Sequence, residues 1–438
     1  MKVSIIAIGD ELLIGQVVDT NSGMIASMIN PDGWEVESVR VVADDAEAIR
    51  RAISQAFEET DVVLTTGGLG PTKDDITKQV LCDYFGGEMI YDTEVEKNVL
   101  EVVTKRGFKI NPLTAAQAWV PSSCTVIQNR VGTAPLMWFE KEGKVLVSMP
   151  GVPFETKEMF ATEVFPRLKQ KYDTTTVLTH ATYIVINNTE SAVAGKLDDY
   201  EKQLPPFLHL AYLPKPGVIR LRLTGRHSDR NVLATAMSEQ GATLKSILGS
   251  DIIADSDLTP AAILGNLLRE QSLTIATAES CTGGNISHEI TLVAGSSDYY
   301  AGSVVSYAND VKTKVLGVNV DDISNEGAVS ETVVRQMAEG VAKVLGVDCA
   351  IATSGVAGPA GGTPDKPVGT VWMAVTLRGV TESRLCRFAG NRERVINHAT
   401  TIAILEMIKM LIKQKKQRKI WLLFKKSLTL HSVLRIIV

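Results

Sequence analysis

A serine at the end of a predicted strand is the residue best placed for covalent chemistry. In TIATAESCTGGNIS, Ser280 and Cys281 follow an apolar run, and Gly283 and Gly284 precede the next predicted helix. A hydroxyl at such a turn can act as a nucleophile, with N–H groups at the start of the helix stabilising an oxyanion beside it. Alternatively, Ser280 only caps the helix. Cys281 is the rival nucleophile, and we interpret it as a small buried thiol.

The base that such a serine needs is predicted to be a lysine. Tyr307 ends a predicted strand in GSVVSYANDVKTK, and Lys312 follows five positions later. Serine is a weak nucleophile until a base removes its proton, and desolvation can keep a lysine partly neutral near pH 7. Because these motifs contain no histidine, the residues favour a Ser-Lys type of site.

A second candidate site follows another predicted strand, in DVVLTTGGLGPTKDDITK. The segment offers three glycines and then two aspartates: Gly67, Gly68, Gly70, Asp74 and Asp75. A helix is expected to begin at Pro71 and Thr72 and to carry both aspartates. Successive N–H groups in such a turn can bind an anion, and carboxylates beside it can hold a divalent ion against phosphates. Alternatively, the aspartates only favour the N-terminus of the helix.

Composition and charge limit the class of protein. The chain has 438 residues, of which 45% are hydrophobic and 22% charged, which predicts two or three globular domains. Five cysteines without paired spacing argue against disulfides and structural zinc. No apolar run approaches the roughly 20 residues of a membrane span. We therefore expect a cytoplasmic protein without a membrane partner.

The charge is unevenly distributed along the chain. Residues 413–438 hold eight basic and no acidic residues, which leaves a net charge of −13 on the rest. Such an acidic body disfavours direct nucleic-acid binding. The basic tail has two interpretations: a membrane-surface or partner-binding segment, or an unselected extension that frays. We favour the second.

Alternating β-branched and amphipathic segments predict an α/β fold with mostly parallel sheets. The expected regions are a doubly wound domain at 1–172, a small βαββα KH-like domain at 173–253, an α/β domain at 254–412 and the tail at 413–438. The βαββα region lacks a GxxG loop between two helices, so RNA clamping has little support. Thr259 and Pro260 mark the start of the third domain as N-cap and first helical residue.

The C-terminal motifs resemble, in order, the CinA C-terminal domain, a family of nicotinamide mononucleotide deamidases. AESCTGG, the Tyr-to-Lys segment, GAVS, SGVAGP and KPVGTVW carry the resemblance. It implies Ser280 as the nucleophile and Tyr307 and Lys312 as its proton-handling partners, without a cofactor. It also implies substrate binding by the hydroxyl- and glycine-rich positions Thr282, Gly283, Gly284, Thr353, Ser354 and Gly355.

The N-terminal motifs GDELLIGQVVDTN, TTGGLGPT and MPGVPFE resemble the molybdopterin-binding superfamily, in its CinA branch. The resemblance implies metal-dependent hydrolysis of ADP-ribose to AMP and ribose 5-phosphate. Asp74 and Asp75, with Glu11 as a further candidate, would hold a divalent metal. The phosphates would lie against Gly67, Gly68, Gly70 and Thr72.

Together the resemblances predict a bifunctional hydrolase of pyridine-nucleotide salvage, with nicotinamide mononucleotide and ADP-ribose as its ligands. The family implies a homodimer through the first or middle domain. Two alternatives from other classes stay open: a competence or DNA-repair accessory acting through protein partners, and a molybdopterin-binding protein.

Overall fold

The computed structural model describes residues 1–72, 74–172 and 177–434, with side chains described up to residue 417. These residues form two compact units. The first contains Met1–His180, Pro205–His209 and Thr224–Glu239, and the second contains the rest of the described chain. The three domain boundaries expected above stay a prediction.

Strands and helices alternate along residues 1–172, as predicted. The strands are β1 (Lys2–Ile8), β2 (Glu35–Val42), β3 (Val62–Thr66), β4 (Met89–Tyr91), β5 (Trp119–Pro121), β6 (Thr125–Ile127), β7 (Leu136–Lys141) and β8 (Lys144–Met149). The helices are α1 (Asp10–Leu13), α2 (Asn21–Ile29), α3 (Ala46–Glu59), α4 (Thr77–Phe85), α5 (Thr93–Lys105), α6 (Pro112–Ala115), α7 (Pro153–Met159) and α8 (Phe165–Lys171).

The main sheet of the first unit has the order β2-β1-β3-β8-β7-β6. The first four strands are parallel, β7 is antiparallel to β8, and β6 is antiparallel to β7 and so runs in the direction of the first four. Alternate residues of β1 enter two different cores, Ile5 on the face covered by α2 and Ile6 on the face covered by α3. Because both faces are buried, the inner strands β1, β3 and β8 read as nearly continuous apolar runs in the sequence.

The expected start of the helix after the glycine turn is wrong. Helix α4 begins at Thr77 rather than at Pro71, so Asp74 and Asp75 lie in a loop. The Asp75 carboxylate accepts hydrogen bonds from the N–H groups of Gly70, at 2.7 Å, and Thr72, at 2.9 Å. Aspartate side chains that bond nearby N–H groups in this way compete with the helix.

The βαββα segment is confirmed, with one strand more than predicted. Its elements are β9 (Val177–Val185), α9 (Glu190–Lys202), β10 (Leu208–Lys215), β11 (Val218–His227), α10 (Arg230–Leu248) and β12 (Ile252–Ala254). The additional strand, β12, pairs antiparallel with β9 and completes a sheet of order β10-β11-β9-β12. Its three residues are too few for a reliable periodicity.

The remaining elements form the C-terminal sheet and its helices. They are α11 (Pro260–Gln271), β13 (Ile275–Glu279), α12 (Asn285–Thr291), β14 (Tyr300–Val305), α13 (Asn309–Lys314), α14 (Val320–Glu326), α15 (Glu331–Leu345), β15 (Cys349–Gly355), β16 (Thr370–Leu377), β17 (Val380–Arg387) and α16 (Arg392–Leu434). Thr259 caps α11, its hydroxyl accepting the N–H of Ala262 at 3.2 Å, as predicted.

The C-terminal sheet has the order β14-β13-β15-β16-β17 and is covered on both faces. Larger residues such as Ile275 and Ile351 pack with α11, α12 and α16, whereas Ala278 and Ala352 pack against α15. This alternation follows from the two-residue period of a strand. It makes a three-layer α/β unit with its strand ends at one edge.

Helix α16 bears on two expectations: that the chain has no membrane span and that its basic tail frays. Of the described helices, only its Arg392–Gln417 part is long and apolar enough to cross a bilayer, and 56% of the 18-residue window that meets this criterion is buried inside the protein. This burial is typical of a core helix in a soluble α/β protein. The backbone of 413–434 continues α16, so the expected fraying is not seen there. Residues 435–438 lie outside the described residues.

Candidate functional site

Three parallel strands end side by side in the second unit. Glu279, the last residue of β13, is in register with Val305 of β14 and with Thr353 of β15. The residues that follow these strand ends therefore gather at one edge of the sheet, where open α/β folds place their ligands. Ser280 stands at the centre of this edge.

Lys312 is brought to Ser280 by α13. Its Nζ lies 3.2 Å from Ser280 Oγ, 2.7 Å from the carbonyl oxygen of Ser306 and 3.3 Å from that of Tyr307. The lysine is only 1% exposed. Burial lowers its pKa below the usual 10.5 because the ammonium loses its hydration. The lysine and the serine thus meet as predicted from the residues.

The Tyr307 side chain lies farther out than a direct proton-transfer partner of Ser280 would. It is 63% exposed, and its hydroxyl accepts a hydrogen bond from Arg392 Nη2 at 3.1 Å. Arg392 also donates through Nη1 to the Gly358 carbonyl, at 2.7 Å. Sequence reasoning missed Arg392. Its only signal was an arginine at the start of the last predicted helix.

These groups surround a cavity of about 220 Å³. Its lining is Ser280, Cys281, Tyr307, Asn309, Lys312, Ala328, Val329, Ser354, Gly355, Ala357 and Arg392. Of the residues implied as substrate-binding, Ser354 and Gly355 belong to this lining. The Ser354 hydroxyl donates to the Ala328 carbonyl at 2.6 Å, which fixes the opposite wall.

The other residues implied as substrate-binding are not among the described residues that line the cavity. Thr282 and Thr353 are 3% and 0% exposed, and their hydroxyl oxygens are 2.8 Å apart. Gly283 and Gly284 have φ angles of +61° and +102°, a backbone region that favours glycine. Thr282 and the two glycines form the turn after Ser280, and Thr353 of β15 contacts that turn through its hydroxyl.

A fully buried carboxylate directly precedes the serine. Glu279 is 0% exposed, and its Oε2 accepts hydrogen bonds from the Thr282 hydroxyl at 2.7 Å and from the N–H of Gly284 at 3.0 Å. Oε2 also accepts the N–H of Ile286, and Oε1 that of Ser287. We gave Glu279 no role from the sequence, although a charged residue ending an apolar strand was the available signal.

Cys281 is a poor nucleophile here. The residue is 7% exposed, and burial raises the pKa of its thiol to about 12. A thiol reacts as the thiolate, which such burial disfavours. The interpretation of Cys281 as a small buried thiol therefore agrees with the structure.

The first unit has its own cavity at the corresponding edge of its sheet. About 520 Å³ in volume, it lies where β1, β3 and β8 end, and Gly67, Gly68 and Gly70 line it. At Gly67, with φ +105°, a Cβ would lie 2.1 Å from the Ile8 carbonyl oxygen. At Gly68, with φ +64°, it would lie 2.1 Å from the Thr77 hydroxyl oxygen. Only glycine allows this close approach.

Two N–H groups of the turn predicted to bind phosphate already have an acceptor within the protein. The N–H groups of Gly70 and Thr72 donate to Asp75, so its carboxylate takes the place expected for a phosphate oxygen. Asp74 also lines the cavity, and a hydrogen bond from Thr72 lowers its pKa. The structure thus gives Asp75 a loop-stabilising role, whereas Asp74 stays open towards a ligand.

The described lining of this cavity is acidic. It includes six carboxylates and no lysine or arginine: Glu11, Asp19, Asp44, Asp74, Asp75 and Glu155. Burial, and then the negative charges of Asp10, Glu11 and Asp75, raise the pKa of Asp44. The buried Oδ1 of Asn21 has no hydrogen-bond partner and belongs to the same lining. Oxygen donors of this kind fit a divalent cation.

No metal site is already assembled in the described part of the chain. No group of three or more histidine, cysteine or acidic side chains there is gathered closely enough to hold a metal ion. The carboxylates of the first cavity are instead spread around its wall. A cation would therefore need ligand oxygens in addition to these side chains, such as those of phosphate or water.

Fold and sites together define an α/β protein with two separate candidate active sites, one in each unit. Three family models cover nearly the whole chain: "Probable molybdopterin binding domain" at 4–170, "Damage-inducible protein CinA KH domain" at 180–254 and "CinA C-terminal domain" at 258–411. The chain belongs to the CinA family.

Curated relatives match over almost their full length. A CinA-like protein of Flavobacterium psychrophilum is 44% identical over 412 residues, which are 93% of this chain and 98% of the relative. One of Cytophaga hutchinsonii is 41% identical over 413 residues, covering 94% and 98%. A solved CinA superfamily protein of Klebsiella pneumoniae is 35% identical and covers 35% of this chain and 96% of its own, with a TM-score of 0.35.

Proposed function

We propose that the second unit is a serine amidase that converts nicotinamide mononucleotide to nicotinate mononucleotide and ammonia. One observation carries the proposal: the Nζ of a buried lysine lies 3.2 Å from Ser280 Oγ in a cavity at the carboxyl edge of a parallel sheet. A serine paired with such a base is the arrangement that acyl transfer requires.

The surroundings of Lys312 suit both of its protonation states. A neutral amine has two N–H donors, which match the carbonyl oxygens of Ser306 and Tyr307, and one lone pair, which is left for the Ser280 hydroxyl. An ammonium has three donors for the same three oxygens. Lys312 can therefore take a proton from Ser280 and return it without losing a hydrogen bond.

The reaction then proceeds in two balanced steps. Ser280 Oγ bonds to the carboxamide carbon while its proton passes to Lys312, and the carbon–nitrogen bond breaks as Lys312 protonates the departing ammonia. Water next attacks the acyl-serine, again giving a proton to Lys312, and Ser280 is restored as the acid product leaves. Serine, lysine and water supply all atoms and charges, so this half of the protein needs no cofactor.

A nucleotide substrate is supported by the rim of the cavity. The Arg392 guanidinium, held by Gly358 and Tyr307, offers fixed N–H donors of the kind that bind phosphate. The exposed Tyr307 ring beside it provides an aromatic surface for the nicotinamide ring. Charge and ring together favour a phosphorylated nicotinamide riboside over the free amide.

The test is ammonia release from nicotinamide mononucleotide by the full chain and by Ser280→Ala. Turnover that is lost in Ser280→Ala and kept in the exposed control Ser297→Ala would support the proposal. An inactive wild type, or a Ser280→Ala variant with full turnover, would contradict it. The first result would favour the competence or repair alternative, in which the chain acts through protein partners.

For the first unit we propose metal-dependent hydrolysis of ADP-ribose to AMP and ribose 5-phosphate. The specific observation is a cavity that joins a glycine turn to carboxylates and contains no described basic residue. A pyrophosphate enters such a cavity only with cations between the charges. Glu11, Asp44, Asp74 and Asn21 are the residues that would hold them. A bound divalent ion there would neutralise the pyrophosphate and lower the pKa of a water molecule.

This second activity can be measured in the same protein. AMP release from ADP-ribose should require Mg²⁺ or Mn²⁺, stop with EDTA, fall in Asp44→Asn and persist in Ser280→Ala. No turnover with any divalent metal would contradict the proposal. Tight molybdopterin binding by the unit would instead support the cofactor-binding alternative.

A further inference from the structure

The geometry points to Glu279 as a positioning residue that leaves the N–H group of Cys281 free to serve as the oxyanion donor for Ser280. This assignment rests on the amidase function proposed above and deepens it. It names a group that receives the negative charge when Ser280 attacks a carbonyl.

The Glu279 carboxylate accepts hydrogen bonds from the helix N–H groups that the sequence suggested as oxyanion donors. It accepts the N–H groups of Gly284, Ile286 and Ser287, at 3.0, 3.0 and 2.9 Å. These groups lie at the start of α12, where a helix offers unpaired donors and positive potential. The helix N-terminus is therefore satisfied by the protein's own anion, and the expectation that it faces the substrate is wrong.

The rest of the turn leaves two donors free. The N–H of Gly283 donates to the Ser280 carbonyl at 3.1 Å, and that of Asn285 to the Thr282 carbonyl at 3.0 Å. Within the described chain, the N–H groups of Cys281 and Thr282 have no acceptor. Of these two residues only Cys281 belongs to the described cavity lining, and the residue after a nucleophile is a common source of an oxyanion donor.

Hydrogen bonds with Glu279 and with Thr353 hold the turn after Ser280 in place. The Thr282 hydroxyl donates to Glu279 at 2.7 Å and lies 2.8 Å from the Thr353 hydroxyl of the neighbouring strand. The Ser280 N–H donates to the Thr353 carbonyl at 3.0 Å. Because a carboxylate only accepts, it can satisfy several converging donors at once. An amide in its place would direct N–H groups at some of those donors.

The backbone of Glu279 links the same turn to the base. Its carbonyl accepts the Ser306 N–H at 2.8 Å, and the Ser306 carbonyl accepts Lys312 Nζ at 2.7 Å. Displacing Glu279 would thus disturb the alignment of nucleophile, base and oxyanion donor together. Because these groups act on the reaction rather than on the nucleotide's phosphate, the effect should fall on kcat.

The experiment compares Glu279→Gln with Glu289→Gln, a control on helix α12, whose first N–H groups Glu279 accepts. For nicotinamide mononucleotide, kcat of Glu279→Gln should fall about 10- to 100-fold, since losing an oxyanion donor outright costs about 100- to 1,000-fold. KM should stay within about threefold, as expected when transition-state stabilisation alone is lost. Thr282→Val, which removes only one of the bonds to Glu279, should give a smaller loss of kcat.

A second readout avoids dependence on the natural substrate. Acylation of Ser280 by p-nitrophenyl acetate, followed as the burst of p-nitrophenolate, also needs the oxyanion hole and should slow in the same variants. Slower acylation with no nicotinamide mononucleotide turnover in the wild type would support the oxyanion hole and contradict the proposed substrate. Unchanged kcat and acylation in Glu279→Gln, or a change in KM alone, would overturn the assignment. If Glu279→Gln does not fold, unchanged kcat and acylation rates in a folded Thr282→Val would overturn the assignment.

Discussion

Lys312 Nζ lies 3.2 Å from Ser280 Oγ, although 32 residues separate the two in the chain. The contact exists because β13 and β14 are adjacent and parallel, so that the turn after one and the helix after the other begin at the same edge. Two carbonyl oxygens hold the lysine there at 1% exposure. The amidase predictions below follow from this pairing.

Replacing the base should abolish the amidase without unfolding the protein. We expect Lys312→Met to lower kcat by about 100- to 10,000-fold, the usual range for a general acid–base group. Lys314→Met is the matched control, because this exposed lysine of the same helix pairs only with Asp310 among described residues, at 2.8 Å. Ammonia release measures both. Comparable activity in the two variants would exclude Lys312 as the base.

The pH dependence should show the lysine losing its proton. Only neutral Lys312 accepts the Ser280 proton, so kcat/KM should rise with pH through the pKa of Lys312 and level off above it. Burial lowers that pKa from 10.5, so the rise should be centred below this value. The measurement is kcat/KM from pH 6 to about 10.5. A profile that falls across this range would contradict the assignment.

Arg392 should control recognition of the phosphate. Arg392→Gln is expected to raise KM for nicotinamide mononucleotide about tenfold or more, because a hydrogen bond to a charged group contributes about 1.5 to 3 kcal/mol. Activity on the unphosphorylated riboside should change little. The exposed Arg394→Gln is the control on the same helix. Equal losses with both substrates would assign Arg392 a purely structural role through Gly358.

The cysteines should be slow to react in the folded protein. Four are buried and Cys124 is half-buried, and burial raises the pKa of all five thiols. Iodoacetamide at pH 8 should therefore leave amidase activity intact and label all five only after unfolding. Rapid inactivation with labelling at Cys281 would instead support this thiol as the nucleophile.

Asp75 should be needed for the glycine turn of the first unit. Asp75→Ala removes the acceptor for the N–H groups of Gly70 and Thr72, so these amides should exchange with deuterium about tenfold faster or more. Asp83→Ala, on the adjacent helix α4, is the control. Hydrogen exchange of peptides from this turn gives the answer. An unchanged exchange rate would mean that these bonds do not limit opening of the turn.

Local sequence patterns predicted most of the secondary structure. The first strand, the helix at Ala46, the cap at Thr259 and the last helix at Arg392 lie where they were expected. Apolar runs, periodicity and capping residues act over a few neighbours, which is why the sequence displays them directly. The start of α4 was missed because Asp75 bonds back to the loop before it, an alternative that periodicity does not reveal.

The sequence by itself determined the α/β class, the family, the serine after a strand and the lysine that could serve it. Only the tertiary structure decided which side chains meet and which are buried. It brings the hydroxyls of Thr282 and Thr353 together outside the described cavity lining, and it places Arg392 at the rim of the cavity. It also gives the Asp75 carboxylate a hydrogen bond within its own loop. It also shows that the Glu279 carboxylate accepts hydrogen bonds from N–H groups at the start of α12. The physical reason is that burial and long-range contacts set the charge state and orientation of a side chain, and both depend on elements far apart in the chain.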